Sequence, residues 1–198
     1  MNISSPTTTT LVTGVVLAGG RGSRMGGEDK GLVFYHEKPL YQHVLARLQP
    51  QVGQIFISAN RNQAVYLQSG LPVIGDSLPG FHGPLAGMLA ALEKIKTEWA
   101  AFVPCDTPLI PQDLVSRLWR AKKNYPAVWA RSAGRDHPVL ALIHVSQVQA
   151  LASFLARGER KLMLFLQQAG GHSVSFDDCP EAFKNINCRE DLFNGAKQ

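Results

Sequence analysis

Residues 11–30 read LVTGVVLAGGRGSRMGGEDK, and this stretch decides the fold. Its apolar first part, residues 11–18, predicts a buried β-strand, and a glycine-rich loop follows at once. In an open α/β sheet, the carboxyl end of a strand is the edge where ligands bind. Glycines let the backbone approach a ligand closely, and consecutive backbone N–H groups can face phosphate oxygens. The stretch therefore predicts an α/β sheet with an anion-binding loop after its first strand.

The rest of the chain alternates between short apolar runs and longer amphipathic stretches. This alternation predicts parallel strands that are covered by helices on both faces. We therefore expect a single α/β domain with a Rossmann-like, three-layer α/β/α architecture and a mostly parallel sheet. Residues 1–10 are rich in Ser and Thr and are expected to form a flexible tail, while residues 11–198 form the domain. The second half is less regular, and residues 173–176 and 183–187 are candidate late strands.

The composition argues against several classes of protein. Of the 198 residues, 45% are hydrophobic and 18% are charged, which is ordinary for a globular protein. No apolar run is long enough to cross a membrane, and the apolar segment at residues 12–18 is too short for a signal peptide, so a cytoplasmic location is expected. The three cysteines lack CxxC spacing, which argues against a disulfide framework or a zinc site. The net charge of +5 favours anionic partners, but no Lys/Arg run interleaved with aromatic residues indicates nucleic acid.

Two common phosphate-binding motifs do not fit the glycine-rich loop. The dinucleotide fingerprint fails because Met25 stands where its third glycine belongs. A Walker A loop fails because Glu28, rather than Lys, follows the second glycine of its spacing. What remains is a long loop that carries Arg21, Arg24 and Lys30, whose cationic side chains suit a triphosphate. The alternative is a surface turn with solvated cations, which the entropic cost of so many glycines disfavours.

Two aspartates follow predicted buried strands at the same expected edge of the sheet. Asp106 comes just after the strand at residues 99–103, and a lone carboxylate there suits Mg²⁺ together with substrate phosphates. Asp76 follows a shorter strand at residues 72–74, and its carboxylate could accept hydrogen bonds from N1 and N2 of a guanine base. Either aspartate could instead cap a local turn, Asp106 through Thr107.

Several motifs, in their order along the chain, resemble a known family. Residues 17–31 together with residues 38–40 are similar to the signature of the nucleotidyltransferase superfamily that acts on sugar, alditol and cofactor phosphates. The ending Met25-Gly-Gly-x-Asp-Lys-Gly resembles the molybdenum cofactor guanylyltransferases. The further matching motifs are Gly83-Pro84-Leu85-Ala86-Gly87-Met88, Pro104-Cys105-Asp106-Thr107-Pro108, Arg135-Asp136-His137-Pro138, Gly158-Glu159-Arg160-Lys161 and Asn185-Ile186-Asn187.

The resemblance implies transfer of GMP from GTP to the terminal phosphate of molybdopterin, which yields the guanine dinucleotide form of the cofactor and pyrophosphate. Asp106 would hold Mg²⁺ and Asp76 would read guanine. Ser58 stands where the family often has an Asn that helps to bind the base, and Asn60 is close by. Since two phosphate anions must be brought together, the expected catalytic residues are Lys30, Arg24 and Asp106. The expected nucleotide-binding residues are Leu17, Ala18, Gly19, Gly20, Lys30, Ser58, Asp76 and Asp106.

We expect a nucleotide-binding half at residues 11–125 and an acceptor-binding half at residues 126–198. Polar and charged residues of the second half suit the phosphate and acidic groups of an acceptor. They are Arg135, Asp136, His137, Arg160, Lys161, Asn185 and Asn187. The alternatives are a solvated helix end at residues 157–161, a packed side chain at His137, and a purely ordering role for Asn185 and Asn187.

Two rival functions stay open on the sequence alone. One is a cytidylyltransferase acting on molybdopterin or an alditol phosphate, although Asp76 favours guanine. The other is a non-catalytic nucleotide-binding regulatory module, although the presence of both Lys30 and Asp106 argues against it. The expected small-molecule partners are GTP and molybdopterin. Transient contacts with proteins that deliver molybdopterin or mature molybdoenzymes are a further expectation, and neither nucleic acid nor a membrane is expected as a partner.

Overall fold

The structure is a computed structural model that describes residues 8–18, 28–76 and 83–186. The strands in these ranges are β1 (Val12–Leu17), β2 (Phe34–Tyr35), β3 (Lys38–Pro39), β4 (Gln54–Ser58), β5 (Val73–Ile74), β6 (Trp99–Pro104), β7 (Ala127–Ser132), β8 (Arg135–His144) and β9 (His172–Ser175). Among the described residues, seven of these strands form one sheet in the order β5-β4-β1-β6-β8-β7-β9, and β2 pairs with β3 in a separate hairpin.

Helices cover both faces of the large sheet. Those in the described ranges are α1 (Thr8–Leu11), α2 (Leu40–Leu48), α3 (Gln63–Leu67), α4 (Pro84–Leu92), α5 (Leu114–Lys122), α6 (Val148–Ala156) and α7 (Leu162–Gln168). Residues of α2, α3 and α5 share a core with Val16, whereas residues of α4, α6 and α7 share a core with Val15. Successive strand residues point to opposite faces, so these adjacent valines enter different cores. The predicted three-layer α/β/α architecture is confirmed.

The pairing of the strands confirms the expectation of a mostly parallel sheet. β1 pairs in parallel with β4 and β6, β4 with β5, and β7 with β9. β8 runs antiparallel to both of its neighbours, β6 and β7. Ala133 (φ 47°) and Gly134 (φ 75°) join β7 to β8, and positive φ at both positions of a two-residue loop is typical of a type I′ hairpin.

The late chain differs in part from the prediction. β9 forms one residue away from the predicted strand at residues 173–176. The strand predicted at residues 183–187 is wrong for the described part, because Pro180–Phe183 is a short 3₁₀ helix and residues 184–186 join no sheet. Proline suits the first turn of a helix, where its missing N–H costs nothing. Of the predicted tail, residues 1–7 lie outside the described residues and Thr8 begins the one-turn helix α1.

None of the helices in the described ranges is long and apolar enough to cross a membrane.

Candidate active site

Strand register brings the ends of four parallel strands to one edge of the sheet. Leu17, the last residue of β1, pairs with Ser58 of β4 on one side and with Pro104 of β6 on the other. β5 ends at the same level beside β4. The turns that carry Asp76 and Asp106 therefore leave from one shared edge, as the position of ligand sites in parallel sheets predicts.

Leu17 and Ala18 lie at the carboxyl end of β1, at the centre of this edge. Both are nearly buried, and the Ala18 backbone N–H donates to the Ser58 carbonyl at 2.8 Å. Any contact of Ala18 with a nucleotide must therefore use its carbonyl or its methyl group. The predicted site residues Gly19, Gly20 and Arg24 lie outside the described residues.

Lys30 and Asp106 meet although 76 positions separate them in the sequence. The Lys30 Nζ donates to Asp106 Oδ2 at 2.6 Å. The two side chains are 23% and 15% exposed, so the pair is sheltered from bulk water and still reachable by a ligand. Charge-assisted hydrogen bonds of this kind are among the stronger side-chain contacts. The structure thus brings together the cation predicted to bind phosphate and the carboxylate predicted to bind metal.

The turn that holds Asp106 is fastened by the late chain. The Ile186 backbone N–H donates to the Asp106 carbonyl at 2.9 Å, and the buried Thr107 hydroxyl donates to Asn185 Oδ1 at 3.0 Å. Thr107 Oγ1 lies 3.4 Å from Asp106 Oδ1, which is a long contact for a hydroxyl. The local cap considered for Asp106 is therefore weaker than the long-range fastening. Asn185 orders the Asp106 turn, and a contact of Asn185 with acceptor stays a prediction.

Asp76 is held by Asn60. The Asn60 side-chain amide donates to Asp76 Oδ2 at 2.7 Å, and the Asp76 backbone N–H donates to Asn60 Oδ1 at 2.8 Å. This reciprocal pair fixes the orientation of the carboxylate at the edge of the sheet. Ser58, two residues before Asn60, is buried with 3% exposure.

Gly87 allows α4 to approach this edge closely. A Cβ added at Gly87 would lie 2.5 Å from Ser58 Oγ and 3.4 Å from both Asp76 Oδ1 and Leu17 Cδ2. All three of these neighbours are predicted nucleotide-binding residues. Position 87 therefore excludes any side chain unless Ser58 is displaced, and the helix forms one wall of the candidate site.

Asp29, the residue before Lys30, accepts three hydrogen bonds that no local sequence pattern predicts. Its Oδ1 accepts from the Tyr66 hydroxyl at 2.7 Å and from the Gly31 backbone N–H at 3.3 Å, and its Oδ2 accepts from the Asn62 amide at 3.0 Å. Burial, reinforced by Asp29, raises the pKa of Tyr66 well above its ordinary value, so the phenol stays protonated and donates. The sequence feature that could have pointed to Asp29 is the Asp-Lys-Gly motif, but the family resemblance assigns a role only to its lysine.

A cavity of about 1030 Å³ lies beside the fastened Asp106 turn. Pro108, two residues after Asp106, contributes to its wall, as do the predicted acceptor residues Arg135, His137 and Asn185. The other charged and histidine side chains of the wall are His36, His43, Arg47, Glu181 and Lys184. Arginine and lysine outnumber the acidic side chain in this lining, so the cavity suits an anionic ligand.

His137 combines a packed position with a place on the cavity wall. Burial, and then Arg135, lower the pKa of His137 from its ordinary value, while Asp136 opposes the shift. This shift favours the neutral imidazole. Its Nε2 lies 2.9 Å from Ser132 Oγ, and its ring packs on Phe183 at a centroid distance of 4.9 Å.

Asp136 faces away from this cavity. Its Oδ1 accepts from Trp129 Nε1 at 2.8 Å. Neighbouring strand residues alternate between faces, so Asp136 points away from Arg135 and His137, which line the cavity. An acceptor role for Asp136 stays a prediction.

Arg160 and Lys161 lie at the junction of α6 and α7, outside the cavity lining. The Arg160 guanidinium donates to the carbonyls of Leu155 and Glu159 at 2.9 and 2.7 Å, and so stabilises the end of a helix. Acceptor roles for both residues stay predictions, and Asn187 lies outside the described residues.

Cys105 packs beneath Asp106 as a small buried side chain. Burial, and then the nearby Asp106 charge, raise the pKa of its thiol, which favours the protonated form and argues against a nucleophilic role. Within residues 8–18, 28–76 and 83–186, no cluster of three His, Cys, Asp or Glu side chains could hold a metal ion. A metal at Asp106 would therefore take most of its ligands from elsewhere, as Mg²⁺ commonly does from substrate phosphates and water.

Comparisons with known proteins give one consistent result. A family model described as "MobA-like NTP transferase domain" matches residues 14–172. A protein of Serratia proteamaculans named "Molybdenum cofactor guanylyltransferase" is 56% identical over 187 residues, covering 94% of this chain and 95% of that protein. A protein of the same name from Yersinia pseudotuberculosis serotype O:1b is 52% identical over 180 residues, covering 91% and 92%.

A solved structure shares the fold. The chain is similar to molybdopterin-guanine dinucleotide biosynthesis protein A from Archaeoglobus fulgidus, with a TM-score of 0.77 and 24% identity over 92% of this chain and 95% of that one. At this identity the likeness is one of architecture.

Proposed function

The chain belongs to the family of MobA-like NTP transferase domains, and from that premise we propose that it transfers GMP from GTP to the terminal phosphate of molybdopterin. The products are the guanine dinucleotide form of the cofactor and pyrophosphate. The name shared by the relatives at 56% and 52% identity supports this reaction. The single observation that carries it is the Lys30–Asp106 pair at the ligand-binding edge, with Asp76 on the same edge.

Asp106 is the residue we propose as the protein ligand of Mg²⁺. The donor set fits, because Mg²⁺ bound to a nucleotide needs only one or two protein carboxylates and the Asp106 carboxylate is partly exposed beside a phosphate-binding cation. The metal would neutralise phosphate charge and stabilise the leaving pyrophosphate. Lys30 would exchange its bond to Asp106 for phosphate oxygens.

The positively charged side chains would promote the transfer by offsetting negative charge. The acceptor phosphate is already an anion, so no general base is needed. The obstacle is the repulsion between two anions and the charge that develops on the leaving group, which fixed positive groups offset. Lys30 supplies such a group from a turn that Asp29 holds in place, and Arg24 is proposed to supply a second.

Asp76 is proposed to select guanine. Its carboxylate is an acceptor, and the guanine edge presents N1–H and N2–H₂ as adjacent donors. Asn60 already holds Asp76 in a fixed orientation, which lowers the entropic cost of binding the base. The buried Ser58 would support this contact from below.

Gly87→Ala is expected to raise the KM for GTP by about tenfold, because overpacking costs roughly 1–3 kcal/mol and the new methyl group would strike Ser58 Oγ. Steady-state kinetics with varied GTP measure it. The matched control is the double variant Gly87→Ala/Ser58→Ala, which removes the closest contact. Its KM should return towards that of Ser58→Ala alone. A wild-type KM in Gly87→Ala would refute the role of this wall.

The cavity beside the Asp106 turn is proposed to receive molybdopterin. Arg135 and Arg47 would meet its phosphate, and the neutral His137 can exchange hydrogen bonds with the pterin. The wall takes residues from both sides of the division at residue 125, so the proposed nucleotide half also contributes to acceptor binding. Asn185 connects the cavity wall to the Asp106 turn through Thr107.

Arg135→Ala is expected to raise the KM for the acceptor about tenfold or more, because a hydrogen bond to a charged group contributes roughly 1.5–3 kcal/mol. The KM for GTP should stay near wild type. Arg131→Ala is the matched control, since Arg131 is exposed on β7 outside the cavity lining. Titration of His137→Ala and Arg160→Ala completes the set. An unchanged acceptor KM in both Arg135→Ala and His137→Ala would remove the cavity from the proposal.

The experiment that tests the whole proposal is release of pyrophosphate with each of the four nucleoside triphosphates, Mg²⁺ and molybdopterin. We expect turnover with GTP and little with the others. Turnover with CTP instead would identify a cytidylyltransferase. Binding of GTP without any release would identify a nucleotide-binding regulatory module.

The proposal also includes transient contacts with proteins that deliver molybdopterin or receive the product, and a cytoplasmic location.

A further inference from the structure

Tyr66 places a polar group inside the core of the protein. The side chain is fully buried on α3, and its ring packs edge-on against Tyr41 at a centroid distance of 5.0 Å. A buried hydroxyl without a hydrogen bond is costly, and this one donates to Asp29 Oδ1 at 2.7 Å. The buried phenol therefore anchors the residue that immediately precedes Lys30.

Asp29 in turn fixes the local backbone around Lys30. It caps the 3₁₀ turn Lys30–Leu32 by accepting from the Gly31 N–H at 3.3 Å. Its other oxygen accepts from the Asn62 amide at 3.0 Å, and Asn62 is held in the left-handed region at φ 50° at the start of α3. The carboxylate thus joins the start of the Lys30 turn to α3.

Gly31 shows how closely the phenol covers this turn. A Cβ added at Gly31 would lie 2.3 Å from the Tyr66 hydroxyl oxygen, but 3.3 Å from Cζ and 3.4 Å from Cε1. The hydroxyl oxygen is therefore the main obstacle to a side chain at position 31, whereas the ring atoms would have to shift by only a few tenths of an ångström to accept a methyl group. Substitutions at positions 31 and 66 can therefore distinguish the effect of the hydroxyl's hydrogen bond to Asp29 from the effect of the packing of the ring.

We propose that Tyr66 is a positioning residue for the transfer reaction: its hydroxyl holds Asp29, and through Asp29 it aims Lys30 at the position of the phosphates beside Asp106. Because effective electrostatic catalysis requires groups that are already oriented, loss of the hydroxyl lowers kcat more than it raises the KM for GTP. The expected effect on kcat rests on the proposed function. The expected effect on the position of the Lys30 side chain does not, and it can be measured without the reaction.

The kinetic test compares Tyr66→Phe, Gly31→Ala and the double variant, with Tyr41→Phe as the matched control for loss of a buried phenol hydroxyl from the same ring pair. Tyr66→Phe should lose about tenfold in kcat with a change of less than about threefold in KM, as expected for a group that acts on the transition state. Tyr41→Phe should keep wild-type kcat. Wild-type kcat in Tyr66→Phe would overturn the proposal.

The double variant distinguishes positioning from simple structural support. Gly31→Ala should unfold at a lower temperature than wild type, and adding Tyr66→Phe should restore much of that loss because the clashing oxygen is gone. The kcat of the double variant should nevertheless stay no higher than that of Tyr66→Phe. A kcat that recovers together with thermal stability would mean that the hydroxyl only supports the fold.

An NMR measurement keeps this result separate from the proposed function. The side-chain signal of Lys30, assigned with Lys30→Met, should shift in Asp106→Asn, which changes the partner of its ammonium group. In Tyr66→Phe it should move in the same direction. An unchanged Lys30 signal in Tyr66→Phe would overturn the positioning role even if the wild-type protein turns over GTP as proposed. A shifted signal, in a protein whose wild type releases no pyrophosphate, would contradict the proposed function alone.

Discussion

Asp106→Asn is expected to slow nucleotidyl transfer by on the order of a hundredfold or more, the usual consequence of removing one preorganised electrostatic group from a transition state. The substitution keeps the size of the side chain and an oxygen that can still accept from Lys30 at the present 2.6 Å. It removes the negative charge that we propose holds Mg²⁺. Single-turnover release of pyrophosphate from GTP at saturating acceptor measures the effect directly.

The control for this variant must show that the fold survives. Asp113→Asn is suitable, because Asp113 is exposed before α5 and its side chain makes no capping hydrogen bond. Both variants should unfold at nearly the wild-type temperature, and Asp113→Asn should keep wild-type turnover. Raising the Mg²⁺ concentration should recover part of the lost rate in Asp106→Asn. Turnover near wild type in Asp106→Asn would refute the assignment of the catalytic edge.

Lys30→Ala is the second variant with a large expected effect, again on the order of a hundredfold or more in kcat. The ammonium group is the described cation closest to Asp106, and no neutral side chain can replace its effect on phosphate charge. Lys30→Arg should be intermediate, because the guanidinium keeps the charge but not the compact shape of an ammonium group.

Lys94→Ala is the matched control for Lys30→Ala, since Lys94 is an exposed lysine just beyond α4. It should leave kcat unchanged. The double variant Lys30→Ala/Asp106→Asn is equally informative, because groups in direct contact are not additive. Its loss should be clearly smaller than the product of the two single losses. Fully multiplicative losses would show that the two residues act independently, contrary to the geometry of the pair.

The parts of the site that could be predicted from sequence are those that depend on strand ends. A buried strand followed by glycines, and aspartates directly after buried strands, indicate the carboxyl edge of a parallel sheet without knowledge of the pairing. The register then confirms that Asp76 and Asp106 share that edge. The Lys30–Asp106 contact was not predictable in this way, because no local pattern connects residues 76 positions apart.

The acceptor side was harder to predict because β8 begins earlier than its proline suggests. Proline is common at the first residue of a strand, so the sequence alone favours a strand that starts at Pro138 and leaves Arg135, Asp136 and His137 together in a loop. The strand instead begins at Arg135 and tolerates Pro138 opposite a bulge between Trp129 and Ala130, where the missing N–H costs least. Strand alternation then separates Asp136 from its two neighbours.

The roles of Asp29 and Gly87 could not be read from the sequence for a different reason. Each depends on a close approach between elements that are distant in the chain. Asp29 accepts a hydrogen bond from Tyr66 of α3, and Gly87 of α4 lies against the ends of β1 and β4. A glycine in an apolar helix and an aspartate before a lysine are common locally. Their contacts with the site become visible only when the helices are packed on the sheet.

The fastening of the Asp106 turn by Asn185 and Ile186 ties activity to completion of the chain. When a ribosome has added the first 175 residues, it has already supplied every strand of the described sheet. The carboxylate at its edge still lacks the two bonds that steady its turn. A product shortened after residue 175 would lack both of these bonds and also the buried Phe176 and Phe183 of the core, so we expect it to be less stable and a poorer catalyst than the full chain.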